Sequence, residues 1–369
     1  MKFPVEQIWI EDDAVDLPVT RSILARVSAE KILIGSEIAK EAGRIDLQQD
    51  PLHSGKRILK LVRYKGAFLK PCPGTREYNC CGLKILNIGQ GCPIDCRYCA
   101  LQVYFNNPVM EVYVNLDDML GELNSFLTRE APEKFFRFCT GEFTDSLALE
   151  PLTGYVGPLA NEFSGRANAT LEFKTKSDYV EPFLELKNPR NIIVSFSMNA
   201  FSFSKSEEIR AASLQRRINA ASRVASQGFK VGFHFDPIVP FEGWEHGYGE
   251  TVDAIFSAVS PDSIIWISLG VLRFVPKLKD VITARFGPLR YFFDSFSPGL
   301  DGKFRLSPER RIAIYRSLAQ RIRSHGPNTL IYLCMESQGI WSDSLGLEIR
   351  NNQQLEKLLD GAAISHAGQ

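Results

Sequence analysis

The stretch that decides how this 369-residue chain is interpreted spans residues 91–99 and reads Gly91-Cys92-Pro93-Ile94-Asp95-Cys96-Arg97-Tyr98-Cys99. Its cysteines follow a C-x3-C-x2-C spacing, directly after the apolar run 83–88, which is a predicted strand. Three thiolates on one short loop can hold three irons of a cubane and leave the fourth iron without a protein ligand. Such an open iron lets a small molecule coordinate and be reduced there, whereas four cysteine ligands suit electron transfer.

A zinc site is the first alternative for these cysteines. Structural zinc sites need four ligands, and no fourth Cys or His follows at the spacing of a zinc ribbon or finger. Buried free thiols are the second alternative, but three cysteines at this spacing in one loop after a strand are rare by chance. We therefore predict that Cys92, Cys96 and Cys99 bind a 4Fe-4S cluster.

Beyond the loop, apolar β-prone runs alternate with helix-like stretches, a pattern typical of β/α units around a parallel sheet. The predicted strands, six or seven in number, are residues 83–88, 135–140, 171–176, 192–199, 230–238, 264–274 and 329–335. One helix is predicted from the apolar stripe of Leu214 and Ile218 ahead of Gly228. Another is predicted to begin after Ser307 as N-cap and to end at Gly326.

Residue parity assigns the two faces of each predicted strand, because alternate side chains point to opposite sides of a sheet. Apolar faces should meet the outer helices, so the polar faces should line the lumen of a barrel whose chemistry gathers at the C-terminal strand ends. Of these polar residues, His234 and Asp236 are a candidate acid–base pair, with a hydrogen-bonded structural histidine as the alternative for His234. The predicted lumen residues are Glu172, Lys174, Lys176, Ser195, Ser197, Asn199, His234 and Asp236.

Composition and charge narrow the class of protein. The chain is 44% hydrophobic and 23% charged, which is typical of a soluble globular protein. Its 43 Lys and Arg residues balance 43 Asp and Glu residues, so no global field attracts nucleic acid or an anionic membrane. No secretory signal pattern opens the chain, and its longest apolar run, around residues 264–272, is too short to span a bilayer. We therefore expect a cytoplasmic protein without a membrane partner.

The cysteine loop resembles the signature of the radical S-adenosylmethionine (radical SAM) superfamily, where this spacing follows the first strand of a partial barrel. Within that superfamily the chain is similar to the spore photoproduct lyase family, which repairs a thymine dimer in DNA. The similarity covers most of the chain and weakens before residue 91 and after residue 274. The matching stretches are residues 8–14, 91–99, 112–117, 173–176, 195–200, 217–221, 232–248 with Glu242-Gly243-Trp244-Glu245, and 273–274.

The resemblance implies an α/β fold, a partial (β/α)6 TIM-like barrel with N-terminal and C-terminal extensions. We place the N-terminal extension at residues 1–78, packed on the barrel, the barrel at residues 79–338, and a C-terminal tail at residues 339–369. The implied activity is that of a lyase-type enzyme. It reductively cleaves S-adenosylmethionine at the cluster to a 5′-deoxyadenosyl radical, which abstracts hydrogen from the substrate. A DNA lesion is the candidate substrate, and a flavodoxin or ferredoxin is the expected reductant.

The family's S-adenosylmethionine contacts are carried over onto Tyr98, Thr144, Lys176 and Ser197, and Asn199 is added from its place on the lumen face. Lys176 suits this role because its ammonium group can pair with the methionine carboxylate. The alternative for Lys176 is an ion pair with Glu172 inside the lumen.

Two departures from the family pattern affect its hydrogen-return step. Glu142 aligns with the cysteine that returns a hydrogen atom to the product, and Ala100 stands where the family has a tyrosine. Glu142 after Gly141 resembles instead the Gly-Glu motif that binds the amino group of S-adenosylmethionine, with a solvated glutamate as the alternative. Cys139 lies three residues earlier, an odd offset that predicts a helix-facing side chain. Glu142 and Cys139 are the candidate catalytic residues.

A second hypothesis is a non-catalytic nucleic-acid-binding protein that keeps the cluster as a structural or redox-sensing element. Arg316 and Arg323 share a predicted helical face that would suit phosphates, with an ordinary solvated face as the alternative. The remaining cysteines are interpreted as free thiols. A second metal site is the alternative for Cys72, Cys80 and Cys81, and hydrogen donation is the alternative for Cys334.

Overall fold

The computed structural model describes residues 5–75, 77–130, 134–188 and 190–367. Residues 1–4 of the predicted N-terminal extension and residues 368–369 of the predicted tail lie outside this range. In the described chain the strands are β1 (Gln7–Ile10), β2 (Lys31–Ile34), β3 (Ile58–Val62), β4 (Leu69–Pro71), β5 (Lys84–Leu86), β6 (Gly89–Gln90), β7 (Asp95–Cys96), β8 (Met110–Tyr113), β9 (Phe136–Cys139), β10 (Ala169–Thr175), β11 (Ile192–Ser197), β12 (Glu208–Ile209), β13 (Lys230–Ile238), β14 (Ile264–Val271), β15 (Arg273–Phe274), β16 (Phe296–Pro298), β17 (Phe304–Leu306) and β18 (Ile331–Leu333).

Helices cover the outer faces of the sheets. They are α1 (Pro18–Arg26), α2 (Glu37–Asp46), α3 (Pro51–Gly55), α4 (Leu101–Tyr104), α5 (Leu116–Arg129), α6 (Glu150–Thr153), α7 (Val156–Phe163), α8 (Glu181–Leu184), α9 (Phe201–Glu207), α10 (Leu214–Ser226), α11 (Trp244–Ala258), α12 (Pro276–Phe286), α13 (Pro308–His325), α14 (Gln338–Leu345) and α15 (Asn352–Ala367). The helix predicted from the apolar stripe ahead of Gly228 is confirmed as α10, and the helix predicted after Ser307 is confirmed as α13. The Ser213 side chain accepts from the Arg216 N–H to begin α10, and Ser307 accepts from Arg310 N–H to begin α13.

The main sheet is a curled, open barrel of parallel strands. Its order is β18-β14-β13-β11-β10-β9-β5, with β4 added antiparallel on the outside of β5. All seven predicted strands are present, in chain order and mutually parallel. The prediction of a partial TIM-like barrel is therefore confirmed.

A second sheet flanks the cysteine loop. Its order is β2-β1-β3-β8-β6, so it combines strands from the N-terminal residues with β6, just before the loop, and β8, shortly after it. The hydrogen bonds from β3 to β8 and from β8 to β6 join the N-terminal residues to the chain on both sides of the loop. The cysteine loop is therefore held between two sheets.

The open side of the barrel is closed by two segments. The link between β4 and β5 reaches across to β18, where Asn79 N–H donates to the Glu336 carbonyl at 3.1 Å. Helix α15 packs beside it with Leu355, Leu359 and Ala363 buried on one stripe. We call the meeting of the link with the end of β18 the seam; its lining residues are Pro71, Cys72, Cys80, Cys81, Gly82, Leu83, Lys84, Tyr332, Leu333, Cys334 and Met335.

Candidate active site

The floor of the lumen is a buried polar network around Glu172 on β10. The Glu172 carboxylate contacts His234 Nε2 at 2.8 Å and Trp266 Nε1 at 3.2 Å, and it accepts from the Ser195 hydroxyl. Burial raises the pKa of Glu172, but His234 and Ser195 outweigh it and bring the value to about 2. The prediction that His234 pairs with Asp236 is wrong. The Asp236 carboxylate instead accepts from the Arg273 guanidinium at 3.1 and 3.2 Å.

The cysteine loop lies at the C-terminal ends of the barrel strands. Its strand β7 pairs antiparallel with β12, with Cys96 opposite Glu208. Burial raises the pKa of Cys92 to about 12, and the Cys99 thiol adds to this rise. Burial also raises the pKa of Cys96, with contributions from Cys92 and Cys99. Each of these thiols therefore lies close enough to the other two for their charges to interact.

The arrangement of the three thiols fits a cluster better than a single ion. Among the described residues, no three His, Cys, Asp or Glu side chains gather as ligands of one metal ion. A mononuclear zinc site on this loop is therefore not preformed. A cubane does not require that convergence, since each of its thiolates binds a different iron. Three neighbouring thiols on one loop, one of them buried and two half-buried, match that requirement.

Two cations from distant parts of the chain clamp the loop. Lys56 donates to the Cys92 and Ile94 carbonyls at 2.7 and 2.8 Å, and its ammonium lies 3.6 Å from the Asp95 carboxylate. Arg285 on α12 pairs with Asp95 at 3.0 Å. These contacts fix both the backbone and the one acidic side chain of the loop, and the sequence analysis missed both cations.

Replacing Lys56 by methionine should make the loop release its iron tenfold faster or more in the presence of a chelator. The reason is that hydrogen bonds to a charged group contribute about 1.5–3 kcal/mol each, and the variant loses two of them. Iron release by the anaerobically reconstituted protein measures the effect. The matched control is Lys65→Met, because Lys65 is 79% exposed and pairs with Asp13 at the surface. Equal iron release from the two variants would show that Lys56 does not hold the loop.

Four of the predicted S-adenosylmethionine contacts are brought together beside the loop. Lys176 Nζ lies 5.9 Å from the centre of the Tyr98 ring, and Tyr98 donates to Glu208. The Ser197 carbonyl accepts from Arg217 Nη1 at 2.8 Å. Asn199 is fully buried and accepts from the Tyr248 hydroxyl at 2.6 Å.

One buried donor of this group is unsatisfied within the protein. The Asn199 amide nitrogen is shielded from solvent and has no hydrogen-bond partner in the described chain. An unpaired buried donor costs about 1–3 kcal/mol, so a polar ligand that accepts from it would be stabilised. This orphaned donor fits a bound S-adenosylmethionine.

Thr144, the fifth predicted contact, is held near this group by its neighbour. The Asp145 carboxylate accepts from the Thr175 hydroxyl at 2.6 Å and from the Lys176 N–H at 2.7 Å. The loop that carries Thr144 is thereby tied to the end of β10, and Asp145 also raises the pKa of Cys92.

The candidate catalytic residues lie around Lys174, two residues before Lys176 along the chain. Burial lowers the pKa of Lys174, but the nearby Glu142, Cys139 and Asp236 raise it by more. The net shift is upward, so the ammonium stays charged. Glu142 is therefore placed with Lys174 and Cys139. Lys176, by contrast, lies with Tyr98 and Cys96.

The predicted orientation of Cys139 is wrong. Cys139 is in register with Glu172 of the neighbouring strand, so both side chains face the lumen. The parity count from Glu142 failed because β9 ends at Cys139 and the chain then turns, which breaks the alternation. Burial raises the pKa of Cys139 to about 12, with Glu172 contributing, so it remains a protonated thiol at neutral pH.

The predicted phosphate-binding face of α13 is occupied by contacts within the protein. Arg316 donates to the Asp343 carbonyl at 2.6 Å, and Arg323 donates to the Leu345 carbonyl at 3.1 Å. Both guanidinium groups cap the C-terminal end of α14, where cations are favoured. The structure therefore gives the nucleic-acid-binding hypothesis no support from this face. No helix in the described ranges is both long and apolar enough to cross a membrane.

Comparisons with known proteins agree on one family. The sequence model described as spore photoproduct lyase matches residues 3–295. The chain is 28% identical over 343 residues to the spore photoproduct lyase of Bacillus subtilis (strain 168), covering 89% of this chain and 98% of the relative. It is 31% identical over 300 residues to the spore photoproduct lyase of Geobacillus sp. (strain Y412MC61), and the alignment covers 77% of this chain and 83% of that relative.

A solved structure shares the fold. A spore photoproduct lyase mutant with bound AdoMet and dinucleoside spore photoproduct aligns with a TM-score of 0.79 at 21% identity, over 90% of this chain and 100% of that one. The partial barrel and the three-cysteine loop at the ends of its strands define a protein of the radical SAM class. Within that class the chain belongs to the spore photoproduct lyase family, a family of lyases.

Proposed function

We propose that this chain is a radical SAM lyase that binds a 4Fe-4S cluster on Cys92, Cys96 and Cys99 and S-adenosylmethionine beside it. When bound, the cluster supplies the electron that cleaves S-adenosylmethionine to a 5′-deoxyadenosyl radical. The observation that carries this proposal is the set of three neighbouring thiols on a clamped loop that faces a polar lumen. The structural relative with bound AdoMet and dinucleoside spore photoproduct supports a DNA lesion as the substrate class.

The residues beside the loop are proposed to bind S-adenosylmethionine. The Lys176 ammonium pairs with its carboxylate, the Asn199 amide donates to one of its acceptors, and the Tyr98 ring bounds the site. Ser197 and Thr144 complete the polar wall. The buried pair of Glu208 and Arg217 lies behind Tyr98 and fixes the ring by the hydrogen bond from its hydroxyl.

The residues around Lys174 are proposed to face the substrate. Glu142, beside the Lys174 ammonium, binds the cationic amino group of S-adenosylmethionine or orients the substrate next to it. Cys139 is our candidate for the group that returns a hydrogen atom to the product, because it faces the lumen and keeps its S–H bond at neutral pH.

The test is an anaerobic assay of the reconstituted protein with dithionite, S-adenosylmethionine and dinucleoside spore photoproduct. We expect 5′-deoxyadenosine to be released and the dinucleoside spore photoproduct to be consumed. Cys139→Ala should still release 5′-deoxyadenosine but should lose most of the correctly repaired product, because the product radical then lacks its hydrogen source.

The outcomes of this assay are separable. No 5′-deoxyadenosine under any reducing condition would overturn the radical SAM activity itself. Release of 5′-deoxyadenosine without consumption of the dinucleoside would overturn only the substrate. Unchanged repair by Cys139→Ala would overturn only the role of that thiol.

A further inference from the structure

The seam holds a second concentration of cysteines. Cys72, Cys80 and Cys81 from the link between β4 and β5 meet Cys334 from the end of β18 around a cavity of about 110 Å³. All four are free cysteines. They come from opposite edges of the open sheet, so only the closure of the barrel brings them together.

Three of these thiols form a mutually neighbouring set. Burial raises the pKa of Cys72, Glu142 raises it further, and Cys81 and Cys334 then add to the rise. Burial likewise raises the pKa of Cys334, with a contribution from Cys81. Cys80 is left out of the set, because its thiol donates to the Thr75 carbonyl at 3.5 Å. Cys72, Cys81 and Cys334 line this one cavity together.

Two cations lie beside this set, in which burial raises the pKa of Cys72 and Cys334. Arg273 Nη2 lies 3.5 Å from Cys334 Sγ, and Lys174 lowers the pKa of both Cys72 and Cys334. Thiolate charge at the seam would thus be balanced by two cations, and N–H groups directed at cluster sulfur atoms stabilise such centres.

The backbone that carries the set is fixed in place. Cys72 N–H donates to the Leu83 carbonyl at 2.9 Å, and Cys334 N–H donates to the Leu269 carbonyl at 3.0 Å. The Cys81 carbonyl accepts from Arg137 Nη2 on β9. The three thiols are therefore presented from anchored positions, as ligands of a preorganised site must be.

We propose that the seam binds a second iron–sulfur cluster through Cys72, Cys81 and Cys334. Soft thiolate ligands select copper(I), zinc or iron–sulfur centres. A cluster, whose thiolates bind different irons, fits three thiols spaced around an open cavity. This site is independent of the activity proposed for the loop.

The test removes the loop site and asks whether iron remains. A variant with Cys92, Cys96 and Cys99 replaced by alanine is reconstituted anaerobically with iron and sulfide, and iron, acid-labile sulfide and visible absorption are measured. We expect it to retain about half of the iron and sulfide of the unmodified protein. Adding Cys72→Ala, Cys81→Ala and Cys334→Ala should remove the rest, whereas adding Cys80→Ala should not.

Folding and metal identity are checked on the same samples. Far-ultraviolet circular dichroism must show both multiple variants folded, and the single variant Cys334→Ser provides a milder change that should lower seam iron alone. A folded loop variant that holds no more iron than the six-cysteine variant would overturn the proposal. So would one tightly bound zinc or copper ion per chain without labile sulfide. If the unmodified protein binds iron at the seam but none at the loop, that result contradicts the proposed function and leaves the seam proposal unaffected.

Discussion

Cys96→Ala is expected to abolish the release of 5′-deoxyadenosine completely. Cys96 is the most buried of the three loop thiols, and its strand is hydrogen-bonded to β12 beside Lys176. Removing one of three thiolates leaves two irons without a protein ligand, so the electron source for the cleavage of S-adenosylmethionine is lost. The loss should be total, because S-adenosylmethionine is proposed to bind beside this loop and not at the seam.

The measurement is single-turnover 5′-deoxyadenosine formation with dithionite, read together with the electron paramagnetic resonance spectrum of the reduced protein. The matched control is Cys80→Ala, since Cys80 lies outside both sets of mutually neighbouring thiols. The control should keep the 5′-deoxyadenosine yield and the loop signal. Substantial 5′-deoxyadenosine from Cys96→Ala would show that the loop is not the reducing centre.

The barrel could be predicted from the sequence because the patterns that define its strands are local in the sequence. Each strand is an apolar run bounded by turn residues, and β/α alternation leaves few possible topologies. Parity worked inside long strands: Glu172, Ser195 and His234 meet on the lumen face as predicted. It failed for Cys139, which was counted from a residue beyond the end of its strand.

The candidate site could be predicted only in part. The cysteine loop is local in sequence, whereas its two clamps are not, since Lys56 and Arg285 are separated from the loop by long stretches of chain. Only the fold decides which of the many lysines and arginines of the chain reach it. The seam is non-local in the same way, because Cys334 meets Cys72 and Cys81 only when the barrel closes.

Arg217 did carry a signal that the sequence analysis did not use. It precedes Ile218 on the buried side of α10, and a charged residue among buried apolar positions requires a partner. That partner, Glu208, is nine residues earlier, and the pair is completely buried. The identity of the partner could not be read from spacing, because the turn before α10 sets the approach of the two groups.

Arg217→Met is expected to destabilise the protein by about 3–5 kcal/mol, the cost of leaving a buried charge without its partner. Arg217 also donates to the Ser197 and Ala212 carbonyls at 2.8 Å, so the change should loosen the end of β11 as well. Urea unfolding of the metal-free protein measures the effect. The matched control, Arg350→Met, removes an exposed pair with Glu348 and should change stability by about 0.5 kcal/mol or less.

The stability that Arg217→Met loses relative to the unmodified protein is expected to depend on pH. Burial raises the pKa of Glu208, but Arg217 and Lys176 outweigh it and lower the value from 4.5 to about 2. A carboxyl group with a lowered pKa stabilises the folded state above its ordinary pKa and loses that contribution as the pH falls toward the lowered value. The stability difference between the unmodified protein and Arg217→Met should therefore be largest above pH 4.5 and shrink between pH 4.5 and 2. A difference that stays constant across this range would mean that packing of the Arg217 side chain, and not its charge, stabilises the wall behind Tyr98.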